Sequence, residues 1–137
     1  MDHHKLEILE DVVPLSLPLV MMIDPTNRCN FKCVFCATGD DRLLKTAPLR
    51  SLGDMPLDLF KKIIDDIDAF LPSKIKRVQL YKDGEPLLHP NIIEMISYAK
   101  NSTAIGEVDL TSNGSLIDRN MANALVVSKL DSIRISF

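Results

Sequence analysis

The sequence predicts an α/β chain built on a parallel sheet, curved so that one of its faces is polar. Two observations predict it. Short runs at strand length alternate with stretches of helical periodicity along the 137 residues; this order makes βαβ units, whose strands lie parallel. Three of the strands also alternate apolar with polar residues, whereas a parallel sheet covered by helices on both sides is apolar on both. A curved sheet or partial barrel around a wet, ligand-holding interior satisfies both observations. The length suits at most one domain with a modest core.

Each element follows from local chemistry. Leu19–Ile23 is a short, wholly apolar run that reads as a buried first strand, with Met21 and Met22 as core. A loop from Asp24 to Met55 follows, and Pro56 suits the first turn of a helix. Phe60, Ile63, Ile64, Ile67 and Leu71 share one face of that helix, and Pro72 stops it. Lys61, Lys62, Asp65 and Asp66 mark its solvated side. Arg77–Tyr81 reads as the second strand. His89-Pro90 opens the second helix, with Ile92, Ile93, Ile96 and Ala99 inward and Asn101 at its end. Glu107–Thr111 is the third strand; Asp118 caps a third helix that carries Met121, Ala122 and Leu125 on one side. Ser132–Phe137 is the fourth strand.

Strand alternation separates the faces. Val78, Leu80, Val108, Leu110, Ile133, Ile135 and Phe137 fall on the face that helices should cover. Arg77, Gln79, Tyr81, Glu107, Asp109, Thr111, Ser132, Arg134 and Ser136 fall on the other.

Composition excludes several classes. The net charge is −3 with no basic run, so nothing points to nucleic acid or to an anionic membrane surface. No apolar stretch reaches membrane-span length, and the N-terminus, MDHHKLEILEDVV, lacks the apolar core of a secretory signal. Clustered thiols suit a reducing cytoplasm.

All three cysteines lie in one run, Cys29-Asn30-Phe31-Lys32-Cys33-Val34-Phe35-Cys36. One disulfide would leave a thiol over, so the run reads as ligands to one metal centre. Structural zinc is closed by four protein ligands and iron–sulfur clusters normally take four cysteines. Three cysteines on a cubane leave one iron open, which is where chemistry happens. The alternative is a zinc-stabilised binding module, its site completed by His89 or by His3 and His4. Zinc usually takes paired Cys-x2-Cys units, and one such unit is present.

The run MMIDPTNRCNFKCVFC, with Cys-x3-Cys-x2-Cys spacing and Phe35 before the last cysteine, resembles the cluster loop of the radical S-adenosylmethionine (SAM) superfamily. The resemblance spans roughly residues 17–137, leaving 1–16 as an N-terminal extension. It implies a partial (β/α)6 barrel and a [4Fe-4S] cluster held by Cys29, Cys33 and Cys36, with SAM on the fourth iron. It further implies a flavodoxin- or ferredoxin-like one-electron donor. The implied reaction is cleavage of SAM to a 5′-deoxyadenosyl radical that takes a hydrogen atom from a peptide or small-molecule substrate. YKDGEPLLHP resembles the family's Gly-Glu-Pro motif, with Asp83 where many relatives carry a first glycine; Gly84 would let the backbone approach a ligand, and Glu85 would meet the SAM amino group. LTSNGSLI resembles the segment whose polar groups, here Ser112 and Asn113, meet the SAM ribose or carboxylate, although Asn-Gly is also a common turn. Ser136 matches a polar residue at the same depth on the fourth strand. Phe35 matches the hydrophobic position beside the adenine, and core packing is its plainer reading.

GEPLLHPNI and LDSIRISF look most like the subset with a cysteine-rich SPASM or twitch extension. The chain ends in its fourth strand, and two more βα units of the family's barrel are expected beyond it. Ala37–Gly53 is long enough for a lid or a substrate contact. His89 is expected to cap the second helix beside Pro90 and to ligate nothing.

Overall fold

The computed structural model describes residues 13, 15, 17–36, 38, 51–70 and 73–136. In chain order the elements are β1 (Val20–Met22), α1 (Leu57–Phe70), β2 (Ile75–Gln79), a 3-10 turn (Pro86–Leu88), α2 (Ile92–Asn101), β3 (Ile105–Ser112), α3 (Arg119–Val127) and β4 (Ser132–Ile135). All strand pairs are parallel, in the order β1-β2-β3-β4. Arg77 pairs with Val20 on one side and Glu107 on the other; Thr111 pairs with Arg134.

One apolar layer holds the fold. Phe60, Ile64 and Ile67 of α1, Ile92, Met95, Ile96 and Ala99 of α2, and Leu125 of α3 pack with Val78, Leu80, Val108 and Leu110 of the sheet. These strand residues are the face expected under helices. Asp118 caps α3, its carboxylate accepting from Met121 N–H at 2.7 Å. Within α2, Met95 is fully buried whereas Ile93 is half-buried, so the inward stripe is turned toward Met95. Leu71, Pro72 and Phe137 lie outside the described residues.

Several expectations need correction. The second strand begins at Ile75, two residues earlier than its polar alternation suggests, because Ile75 and Ile105 pair in register and close the N-terminal end of the sheet. β1 is not buried on both sides: Met21 and Ile23 face the core, but Met22 is 50% exposed beside Gln79. A run of apolar residues shows no alternation, so its two faces look alike in sequence. Ile135 is 42% exposed despite its apolar character. The 3-10 turn before α2 was hidden in the segment GEPLLHP, where Glu85 caps it and Pro86 opens it.

The polar face is a lattice of side chains. Arg77 donates to Glu107 at 2.6 and 3.0 Å. Gln79 donates to Asp109 at 3.3 Å. Arg134 donates to both Asp109 oxygens at 3.1 and 3.2 Å and to the Tyr81 hydroxyl at 2.9 Å. These bonds, Glu107 above all for Arg77 and Asp109 for Arg134, raise both guanidinium pKa values above their ordinary range. Asp109 has no solvent exposure even though its face is polar, because the arginines cover it.

Candidate metal and cofactor site

The loops that leave the C-terminal ends of β1, β2 and β3 meet at one edge of the sheet, where sites lie in parallel α/β folds. The long loop after β1 is clamped at its neck. Thr26 Oγ1 donates to Asp54 at 2.6 Å, Asn27 Nδ2 donates to Ser51 O at 2.8 Å, and Gly53 N–H returns to Asn27 Oδ1 at 2.7 Å. Met55 N–H adds a bond to Pro25 O at 2.7 Å. The cysteines of residues 29–36 therefore leave a fixed base directly.

Gly84 fits the same base. A Cβ there would overlap Thr26 O and lie 2.6 Å from Arg28 O. The glycine thus allows β2's loop to touch the backbone of the cysteine loop, which Glu85 N–H fixes by a 2.8 Å bond to Arg28 O.

Glu85 is 2% exposed and gathers three donors. Its Oε1 accepts from Leu87 N–H at 3.1 Å and Ser112 Oγ at 2.8 Å; Oε2 accepts from Asn113 N–H at 2.7 Å. Its carboxylate binds the β2 loop to the end of β3. Glu85→Ala is expected to lower stability by about 3 kcal/mol, since three buried or half-buried donors lose their acceptor and some regain water. Glu85→Gln should recover little, because its amide nitrogen would oppose Asn113 N–H or the other donors. Urea unfolding checks this; a loss below about 0.5 kcal/mol would show that water replaces the carboxylate.

Asn113 reaches back to the cysteine loop. Its Nδ2 donates to Asn30 Oδ1 at 2.9 Å, and Asn30 Nδ2 donates to Ser115 Oγ at 2.8 Å. Gly114 holds φ +76°, so the Asn-Gly pair does form a turn, with Asn113 as part of the cluster of loops. Ser136 joins through its backbone, N–H to Ser112 O at 2.9 Å. Phe35 is 89% exposed, which overturns core packing as its role. His89 is buried with both ring nitrogens engaged, Nε2 with Met55 O at 2.9 Å and Nδ1 accepting from Asn91 N–H at 3.1 Å. It does not cap α2 as expected: Asn91 takes that position and His89 closes the 3-10 turn before it, with both ring nitrogens held inside the protein. His3 and His4 lie outside the described residues, as do residues 37 and 39–50 of the expected lid.

The three thiols are free of disulfides, Cys29 exposed and the others half-buried. Cys29 Sγ accepts from Phe31 N–H at 3.4 Å, and Cys36 Sγ bonds Thr38 Oγ1 at 2.8 Å. Among the described residues no three His, Cys, Asp or Glu side chains converge at metal-binding spacing. Three thiolates brought together repel until a cation shares their charge, so convergence of the three cysteines would accompany metal binding. Three thiols in no disulfide, on one loop with a clamped base, are a donor set that fits a cluster.

Sequence reading missed Thr26, Asn27 and Asp54 at the neck, and Asn30 inside the cysteine run. Asn30 was open to notice: it carries a two-ended amide directly after Cys29.

The model of the radical SAM superfamily matches residues 23–137 of this chain. The chain belongs to the radical SAM superfamily. The family's cofactors are a [4Fe-4S] cluster and SAM. This radical SAM chain is 33% identical over 117 residues to a GTP 3′,8-cyclase from Microcystis aeruginosa, across 85% of this chain and 33% of the relative. It is 30% identical over 117 residues to the tungsten-containing aldehyde ferredoxin oxidoreductase cofactor-modifying protein of Pyrococcus furiosus, across 85% of this chain and 30% of that one. It spans about a third of the length of these relatives. Its fold matches the crystal structure of BtrN in complex with AdoMet and 2-DOIA with a TM-score of 0.72 at 16% identity, over 87% of this chain and 45% of BtrN. The expected partial barrel is thus the observed fold class, four parallel strands and three helices. Among the described residues no helix is long and apolar enough to cross a membrane.

Proposed function

We propose that this chain is the cluster-bearing first part of a radical SAM enzyme's barrel, spanning residues 17–137, and that it acts on a peptide or small molecule. One observation carries the reading: the cysteine loop, the Gly84-Glu85 turn and the Ser112-Asn113 loop are hydrogen-bonded into one unit at the C-terminal edge of the sheet. Cys29, Cys33 and Cys36 are the residues that would hold the cluster. The chemistry the cluster supplies when bound is one-electron cleavage of SAM, fed by a flavodoxin- or ferredoxin-like donor, to a radical that removes a substrate hydrogen atom.

The chain's own residues bind and orient. A carboxylate accepts about four hydrogen bonds, so Glu85, which holds three within the protein, has an acceptor position on Oε2 left over for the SAM ammonium. Gly84 sets the backbone of that turn. Ser112, Asn113 and Ser136 offer polar groups for the ribose or carboxylate, and exposed Phe35 offers an apolar face to the adenine. The polar lattice around Asp109 lines the inner wall that substrate would meet. Motif likeness supports membership of the SPASM or twitch subset, and the range of activities among the relatives supports a small-molecule or peptide substrate as the class.

Anaerobic reconstitution with iron and sulfide tests the reading. The chain should take up about four of each, as a cubane requires, and SAM should change the electron paramagnetic spectrum of the reduced cluster. Stoichiometric zinc that iron cannot displace would favour the binding module instead.

A further inference from the structure

The cofactor reading assigns no part to Asn30, yet the structure gives both ends of its amide a partner. It lies one residue beyond Cys29 in the chain. Its carbonyl oxygen accepts from Asn113 Nδ2 at 2.9 Å, and its amide nitrogen donates to Ser115 Oγ at 2.8 Å. Ser115 in turn donates both its backbone N–H and its hydroxyl to Asn113 Oδ1, at 3.0 and 2.7 Å. The two asparagines and the serine form a closed ring of hydrogen bonds between segments more than 80 positions apart. Asn113 is itself fixed at its backbone by Glu85.

Resting on the cofactor reading, we infer that Asn30 is a positioning residue. It latches the thiol-bearing loop to the loop after β3, so that the cluster side and the SAM side of the site hold one relative geometry. These two side-chain hydrogen bonds join residues 29–36 to residues 112–115. An aspartate here would keep the acceptor and lose the donor. An alanine would lose both and leave Asn113 free to rotate its amide away from the site. The three thiols would remain on a loop whose neck is held by other residues, Thr26 and Asn27.

The test compares Asn30→Ala, Asn113→Ala and the double variant with the unaltered chain. Each is reconstituted anaerobically, assayed for iron and sulfide, and titrated with SAM by paramagnetic resonance. Asn30→Ala should keep the full iron and sulfide content yet bind SAM about fivefold to tenfold more weakly, the size of two solvent-exposed hydrogen bonds. The double variant should be no weaker than the poorer single variant, since both changes break one ring. Hydrogen exchange of the metal-free chain supplies a readout that needs no cofactor: the Ser115 amide should exchange about tenfold faster in Asn30→Ala. Additive losses, an iron loss that parallels the SAM loss, or unchanged SAM binding and exchange would overturn the inference. An unaltered chain that takes up neither iron nor SAM would overturn the cofactor reading and this inference together. An unaltered chain that binds both, beside an Asn30→Ala variant that matches it, overturns the latch alone.

Discussion

Replacing any one of Cys29, Cys33 or Cys36 with alanine is expected to reduce reconstituted iron and sulfide from about four each per chain to below about one. The chain has no fourth cysteine to substitute, and two thiolates cannot hold a cubane that three already hold with one iron open. The fold should not notice. None of the three belongs to the apolar core, and Cys29 is exposed, so the metal-free variants should unfold within about 0.5 kcal/mol of the unaltered chain. Iron analysis and a thermal melt, run side by side, separate the two effects. A variant that keeps a full cluster would remove that thiol from the ligand set. A variant that loses iron and fold together would mean that the loop supports the core, contrary to its placement.

Asp109→Ala is expected to lower stability by about 3 kcal/mol in urea unfolding. Asp109 is wholly buried, and it neutralises Arg134 through two bonds while its Oδ2 lies 3.4 Å from Arg77 Nε. Removing one partner of a buried pair leaves the other charge uncompensated, which costs about 3–5 kcal/mol. The lower end applies because the Arg134 side chain is 45% exposed and can turn to water once released. Asp109→Asn keeps the shape but faces an amide N–H2 toward guanidinium donors, so it should recover only part of the loss. A change under about 1 kcal/mol for alanine would show that the lattice is a loose surface array that water replaces without penalty.

The sheet, its parallel order and its two unlike faces were legible from alternation alone. Val78, Leu80, Val108 and Leu110 buried against the helices while Arg77, Asp109 and Arg134 gathered on the opposite side, as period-two patterning requires. β1 was misread because Val20, Met21 and Met22 carry no polar marker, and only pairing with Arg77 and Gln79 shows which of them face the open side. Ile75 was left out of β2 because its burial depends on Ile105, thirty positions away, in a register that only the assembled sheet establishes.

The site divides in the same way. Which residues are chemically able to hold a cluster was written in the spacing of three cysteines, because ligand type and number are local properties. Which residues hold the loops together was not. Glu85 pointed to a ligand when read alone, but folding surrounds it with Leu87, Ser112 and Asn113 and gives it a second task as a bridge. Gly84 suggested room for a ligand, whereas the backbone of residues 26–28 occupies the space a side chain would need. Asn30 and Asn113 meet only because β1 and β3 deliver their loops to the same edge of the sheet. A hydrogen bond between residues 83 apart depends on where the core places two strand ends. The sequence by itself determined the periodicities and the donor atoms; the tertiary structure decided which distant donors and acceptors came within three ångströms of one another.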